Sequence, residues 1–140
     1  MTARLSLDRG HTLRGDKTLD WFFANRKWIR TAKLQVVECG WAERPLPELE
    51  SSVRFLILAP KRSYKRAHDR NRVKRWLRAA VNQSPVFAEL ESSLTEQGLQ
   101  LLIMLRISKP LTTLLWETIM ADVSAIGNHL MQRVHLGQQP

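Results

Sequence analysis

Nine of the eighteen residues from Lys61 to Arg78 are lysine or arginine, and Asp69 is the only acidic one among them. Ordinary solvated helix faces mix both signs, because oppositely charged pairs one turn apart stabilise them. This run does not. Its second half has helical order: Val73, Trp76, Leu77 and Ala80 stand at i, i+3, i+4 and i+7 and give one face that can pack on a sheet. Arg72, Lys74, Arg75 and Arg78 then point away from that face, and Asp69 suits the helix N-cap. Guanidinium groups present a planar fork that grips two phosphate oxygens at once. A fixed row of them matches the phosphate spacing of a folded polynucleotide, and each phosphate neutralised makes binding weaken with salt. Asn71 adds a donor and an acceptor among pure donors, suited to a base edge or a ribose hydroxyl.

No second chemistry competes with this one. Protein-only phosphodiester cleavage needs paired carboxylates around metal ions, or a histidine acid–base pair. The acidic residues are scattered, with several in the stretch Glu43 to Glu50, and Asp16 and Asp20 alone are too few for a two-metal site. His11, His68, His129 and His135 have no ligand spacing, and there is no glycine-rich phosphate loop. We therefore expect no catalytic residue and no metal ligand in the chain. The single cysteine, Cys39, lies in an apolar run and reads as a small buried side chain.

The elements that must position the basic helix follow from apolar periodicity. A helix is expected from Lys17 to Arg26, capped by Asp16, with Leu19, Phe22 and Phe23 as its stripe. Lys33 to Cys39 alternates like a half-buried strand, and Gly40, Pro45 and Pro47 mark a loop up to Ser52. Val53 to Ala59 is a buried strand ended by Pro60. Ser84-Pro85 opens a short helix, Val86 to about Leu94, closed near Gly98, and Leu99 to Leu105 is a further strand. Pro110 opens a long helix with Leu115, Ile119, Val123, Ile126 and Leu130 on one face. The order suggests a small α+β sandwich over a single domain, residues 1–140, with a core at about 13–134. Hydrophobic residues at 44% suffice for such a core, and a formal charge of +9 asks for a polyanionic partner. No secretory signal and no spanning segment is seen, so a cytoplasmic protein with no membrane role is expected.

Arg70-Asn71-Arg72-Val73-Lys74-Arg75 resembles the R-N-R-x-K-R signature of the bacterial ribonuclease P protein subunit. The likeness runs on through Trp76-Leu77-Arg78 and back through Pro60-Lys61-Arg62, Lys65-Arg66-Ala67 and Asp69. Leu13 to Ile29 is similar to the family's first helix and following turn, and Ile103 to Pro110 to its last strand, so the resemblance covers about Leu13 to Leu130. It implies an α-β-β-β-α-β-α sandwich, helices on a mixed sheet, with a left-handed βαβ crossover that departs from the usual hand. It also implies a role in removing the 5′ leader of precursor tRNA. There the RNA subunit is the catalyst, RNA phosphates hold Mg2+, and the protein binds that RNA and the leader, with no obligate protein partner.

Carried across by position, Arg70, Asn71, Arg72, Lys74, Arg75 and Arg78 would meet the catalytic RNA, and Lys61, Arg62, Lys65 and Arg66 would extend that surface. Leu19, Phe22, Phe23 and Lys27 would bind the leader in a cleft between the first helix and the sheet. Phe22 and Phe23 suit core packing equally well, and Trp28 and Trp41, flanking the first strand, are further candidates for stacking on RNA. The pattern departs from the family at Arg26, where a glycine is usual, at Leu56, Leu58 and Pro60, where small residues are common, and in a loop from Lys61 to Asp69 one residue longer. A ribosomal or other structural RNA-binding protein would share the charge and is the alternative reading.

Overall fold

The computed structural model describes residues 5–30 and 34–137. Lys33, which opens the expected first strand, lies outside the described residues, as does the side chain of His135. The elements are α1 (Asp16–Asn25), β1 (Lys27–Trp28), β2 (Val37–Pro45), β3 (Val53–Leu58), α2 (Ala67–Gln83), α3 (Val86–Gln97), β4 (Leu99–Ile107) and α4 (Trp116–Gly137), with 3-10 turns at Arg9–His11 and Leu111–Thr113. The sheet order is β1-β2-β4-β3. β2 runs antiparallel to β4 from Val37↔Ile107 to Pro45↔Leu99, and β3 runs parallel to β4 from Val53↔Leu101 to Leu58↔Arg106. The fold is thus α+β around a mixed sheet.

Alternation along the strands gives the sheet two apolar faces. Val37, Cys39, Val53, Phe55, Leu101, Ile103, Leu105 and Ile107 pack with α2, α3 and α4 in the larger cluster. Ala42, Leu102 and Met104 point the other way, where Leu13 and Phe22 cover them with Leu56 and Leu58 alongside. β4 is buried on both faces, which is why it reads as an unbroken apolar run. Phe22 is fully buried, worth about 1.5–3 kcal/mol of apolar transfer, and pins α1 to its side of the sheet.

Several expectations are corrected. β2 continues through Gly40 to Pro45, where a loop was expected, because β4 offers a continuous ladder partner and Trp41 and Ala42 are buried. Proline is tolerated at the end of that strand, on the final rung. Two helices, α2 and α3, stand between β3 and β4, as apolar periodicity had them, although the family's element order counts one there. They part at Ser84, whose hydroxyl donates to the Ala80 carbonyl at 2.7 Å, and at Pro85, which has no N–H to continue the ladder. Gly98 ends α3 at φ 68°, a left-handed C-cap that favours glycine.

The caps also differ. Gly15, not Asp16, precedes α1, and Arg66 precedes α2, neither with a side-chain cap bond. Asp69 sits in the first turn of α2, where it still faces the positive end of the helix. Pro110 leads into the 3-10 turn, and α4 begins only at Trp116, so Leu115 is 61% exposed while Ile119, Val123, Ile126 and Leu130 are buried. One anchor was not foreseen. The buried Asp122 of α4 accepts the backbone N–H groups of Gln35, Val36 and Val37 at 3.0, 2.7 and 2.9 Å, and so ties the start of β2 to the helical layer.

Candidate nucleic-acid interface

α2 is held by its apolar stripe. Val73, Leu77, Ala80 and Val81 are fully buried against the sheet and α4, and Trp76 is half-buried at the edge of that contact. Asn71, Arg72, Arg75 and Arg78 are exposed and Lys74 is half-exposed. The Arg72 guanidinium lies 4.8 Å from the Trp76 ring centre, an attraction that orders it while leaving its fork toward solvent. Ion pairs among the described residues lie elsewhere, and none uses a basic side chain between Lys61 and Arg78. The cations are neither quenched nor loosely attached.

The turn before α2 is braced from beneath. The Pro60 carbonyl accepts the Ser63 and Tyr64 N–H groups, both at 3.0 Å. Tyr64 is buried and its hydroxyl donates to the Lys109 carbonyl at 2.5 Å, and burial pushes its phenol pKa up. Arg70 donates through Nη1 to the Tyr64 and Lys65 carbonyls at 2.8 and 3.0 Å. Lys61, Arg62, Lys65 and Arg66 are therefore exposed on an ordered turn continuous with α2. Arg70, which the resemblance implied would meet the RNA, is half-buried and spends part of its guanidinium on the chain itself. Neither brace was legible beforehand, since Tyr64 carried no periodic signal.

The expected leader-binding residues do not form one group. Phe22 has no exposed surface and cannot meet a ligand; on a helix one face must seal the sheet, and Phe22 is at its centre. Leu19 and Phe23 share one flank of α1, Leu19 half-buried and Phe23 45% exposed. Lys27 is on the opposite flank, its Nζ 5.3 Å from the Trp41 ring centre. Trp41 is itself buried.

Beside Phe23 the structure brings in residues that periodicity had not grouped. The Arg26 guanidinium lies 4.9 Å from the Phe23 ring centre and 4.7 Å from that of Trp28, and Arg106 lies 5.4 Å from Trp28. Arg26 crosses β2 at Gly40, where a Cβ would stand 3.5 Å from its Cδ, and its Nη1 reaches Met104 Sδ at 3.7 Å. The result is a ladder, Phe23–Arg26–Trp28–Arg106, along the sheet beside α1. Glu38 takes two bonds from Arg106, at 3.3 and 2.9 Å, and one from Ser108 at 3.2 Å, and these hold its carboxyl below the ordinary range. Planar cations interleaved with rings suit unpaired nucleotides, offering π-faces to bases and donors to phosphates.

Among the described residues no group of three His, Cys, Asp or Glu side chains is placed to hold a metal ion, and no helix is long and apolar enough to cross a membrane. His11 bonds Asp8 at 2.9 Å and Glu91 at 2.7 Å, and His68 is exposed at the start of α2.

A basic helix on one side of a mixed sheet, and an aromatic–cationic ladder on the other, give an α+β protein whose surfaces suit nucleic acid. The chain matches the ribonuclease P family over residues 7–130 and belongs to it. A search of curated proteins gave no match. As a ribonuclease P protein subunit the chain takes part in tRNA processing, in association with a ribonuclease P RNA and a tRNA substrate, and the assembled particle is an endoribonuclease.

Proposed function

We propose that this chain positions RNA and does not itself cleave it. In this reading the RNA subunit performs the endonucleolytic 5′ maturation of precursor tRNA, in the cytoplasm. Asn71, Arg72, Lys74, Arg75 and Arg78 on α2 grip that RNA, with Lys61, Arg62, Lys65 and Arg66 extending the contact and Arg70 shaping the turn between them. Mg2+ would be held at phosphates of the RNA and would supply electrophilic activation there, while the exposed cations between Lys61 and Arg78 would meet other phosphates of the same RNA. The 5′ leader lies along the α1 flank that carries Leu19 and Phe23, with Arg26, Trp28 and Arg106 as further contacts. Lys27 acts from the other flank.

The observation that carries this reading is the row of cations, in no ion pair among the described residues, on a helix whose opposite face is fully buried. Its test is reconstitution with a ribonuclease P RNA and precursor tRNA at low magnesium. Leader removal should rise sharply with the wild-type chain and little with Arg72→Ala/Arg75→Ala. Equal stimulation by both proteins would refute the assignment of the helix, and cleavage without any RNA subunit would refute the non-catalytic role.

A further inference from the structure

The flank of α1 that faces away from Phe23 borders a second opening. Phe22 points into the sheet, and on a helix of 3.6 residues per turn Trp21 and Asn25 then fall on the side opposite Phe23 and Arg26. They wall a cleft of about 640 Å³ with Lys27, Trp41, Glu43 and, from α4, Arg133. This volume lies within the ~300–1,000 Å³ typical of ligand clefts. Two features set its chemistry.

The first is cationic and aromatic. Lys27 Nζ and the Arg133 guanidinium each lie 5.3 Å from the Trp41 ring centre, and Arg44 lies 5.7 Å from that of Trp21. Neither Lys27 nor Arg133 has a carboxylate partner among the described residues. Trp21 is half-exposed.

The second is the open sheet edge. β1 covers β2 only at Gly40 and Trp41, and the Cys39 carbonyl accepts from Ile29 N–H on that side. Backbone groups alternate sides along a strand, so those of Glu43 point to the same edge beyond the end of β1. The side-chain amide of Asn25 donates to the Trp21 carbonyl at 2.8 Å, which leaves its Oδ1 as an acceptor at the rim.

We propose that this cleft binds an unpaired ribonucleotide of the RNA the chain serves, its base against Trp21 and the free edge of β2, its phosphate between Lys27 and Arg133. The inference rests on the RNA-binding reading above, shares Lys27 with it, and otherwise uses a different surface. Single-stranded nucleic acid needs stacking faces flanked by cations, and edge donors and acceptors give modest base preference. The strand comes either from a long leader passing round the end of α1 or from an unpaired segment of the RNA subunit. Both present the same chemistry.

Arg133 is exposed on α4 and meets the core only at the Trp41 ring, so it is the primary probe, with thermal melts checking that each variant is folded. Affinity is measured for the RNA subunit, and for precursor tRNAs with truncated and long leaders bound to the assembled particle, with wild type, Arg133→Glu and Arg133→Lys. One of these affinities should fall about three- to tenfold in Arg133→Glu, with Arg133→Lys near wild type and a salt slope reduced by about 0.7 in the affected complex. Loss confined to the long leader assigns the strand to the leader, and loss in assembly with the RNA subunit assigns it there. Trp21→Ala should weaken the same complex about tenfold and Trp21→Phe should restore it, with thermal melts showing that both variants are folded. Unchanged affinities in every complex for Arg133→Glu would overturn the proposal. Arg72→Ala/Arg75→Ala would still report separately on the α2 surface.

Discussion

Replacing Arg72 and Arg75 by alanine tests whether α2 works by phosphate neutralisation or by shape. Both side chains are exposed and in no ion pair among the described residues, and only Arg72 meets the edge of the buried stripe, through the half-buried Trp76, so their removal should leave folding intact. Each phosphate contact contributes about 0.7–0.9 to the slope of log K against log salt, so losing two should flatten the slope by about 1.4–1.8. Raising salt from about 50 to about 200 mM should then cost the variant roughly tenfold less affinity than it costs wild type. The assay is equilibrium binding of the protein to the ribonuclease P RNA at several salt concentrations, by fluorescence anisotropy. Arg70→Ala provides the contrast. Its guanidinium already satisfies the Tyr64 and Lys65 carbonyls, so its loss should loosen the turn and lower affinity with a smaller change of slope. A double variant that binds more weakly with an unaltered slope would refute the reasoning, because the two arginines would then act through structure and not through phosphates.

Phe22→Ala should destabilise the fold by about 3–5 kcal/mol in denaturant unfolding, whereas Phe23→Ala should leave stability nearly intact and weaken leader-bearing precursor tRNA by about 1–3 kcal/mol; a reversed pattern would contradict the placement of the two rings. Asp122→Ala leaves three backbone donors without their acceptor and should cost about 2–4 kcal/mol in thermal or chemical unfolding, and an unchanged midpoint would show that β2 does not depend on that anchor. Glu38 has a folded pKa depressed below its ordinary 4.5, chiefly by its hydrogen bonds from Arg106. Its contribution is therefore present above the unfolded pKa and lost as pH falls through the folded one, so wild-type stability should drop more steeply than that of Glu38→Gln in acid titration. The pair is partly exposed and screened, so the difference should be small.

What the sequence disclosed and what it concealed divide along physical lines. Val73, Leu77 and Ala80 repeat with the helical period, and a period needs no tertiary information, so the buried face of α2 and the outward fan were legible together. β4 was legible because a strand covered on both faces is apolar throughout. β2 was misread at Gly40 because glycine and proline punctuate local structure only when no long-range ladder claims them, and here nine consecutive rungs to β4 do. Phe22 and Phe23 are adjacent and identical in type. Only the azimuth of α1 on the sheet decides which is sealed, and that azimuth is set by residues up to 82 positions away, such as Met104. Arg70 and Tyr64 escaped for a related reason: a guanidinium bonded to backbone carbonyls and one aimed at solvent have the same letter.

Arg26 shows how such a contact can alter a binding surface without altering the fold. Its guanidinium fills the gap between Phe23 and Trp28, where a glycine would leave both rings open. A cation on an aromatic face is worth about 0.5–1 kcal/mol when exposed and about 2 kcal/mol when desolvated, while a base stacked on the same ring is worth about 1–3 kcal/mol. The two are close enough that a base entering between the rings would gain little from stacking alone. On the proposed reading the balance would be tipped by what the displaced guanidinium does next: released beside a leader, it would find a phosphate, and a charge-assisted bond would replace the lost ring contact. A cleft built this way should favour the leader's backbone over the identity of its bases, because the strongest new bond formed on entry is to phosphate and every base has a π-face. Arg106 cannot follow the same course while Glu38 holds it by two hydrogen bonds, so of the two cations beside Trp28 one is held by a carboxylate and the other, Arg26, only by a weak bond to Met104 Sδ.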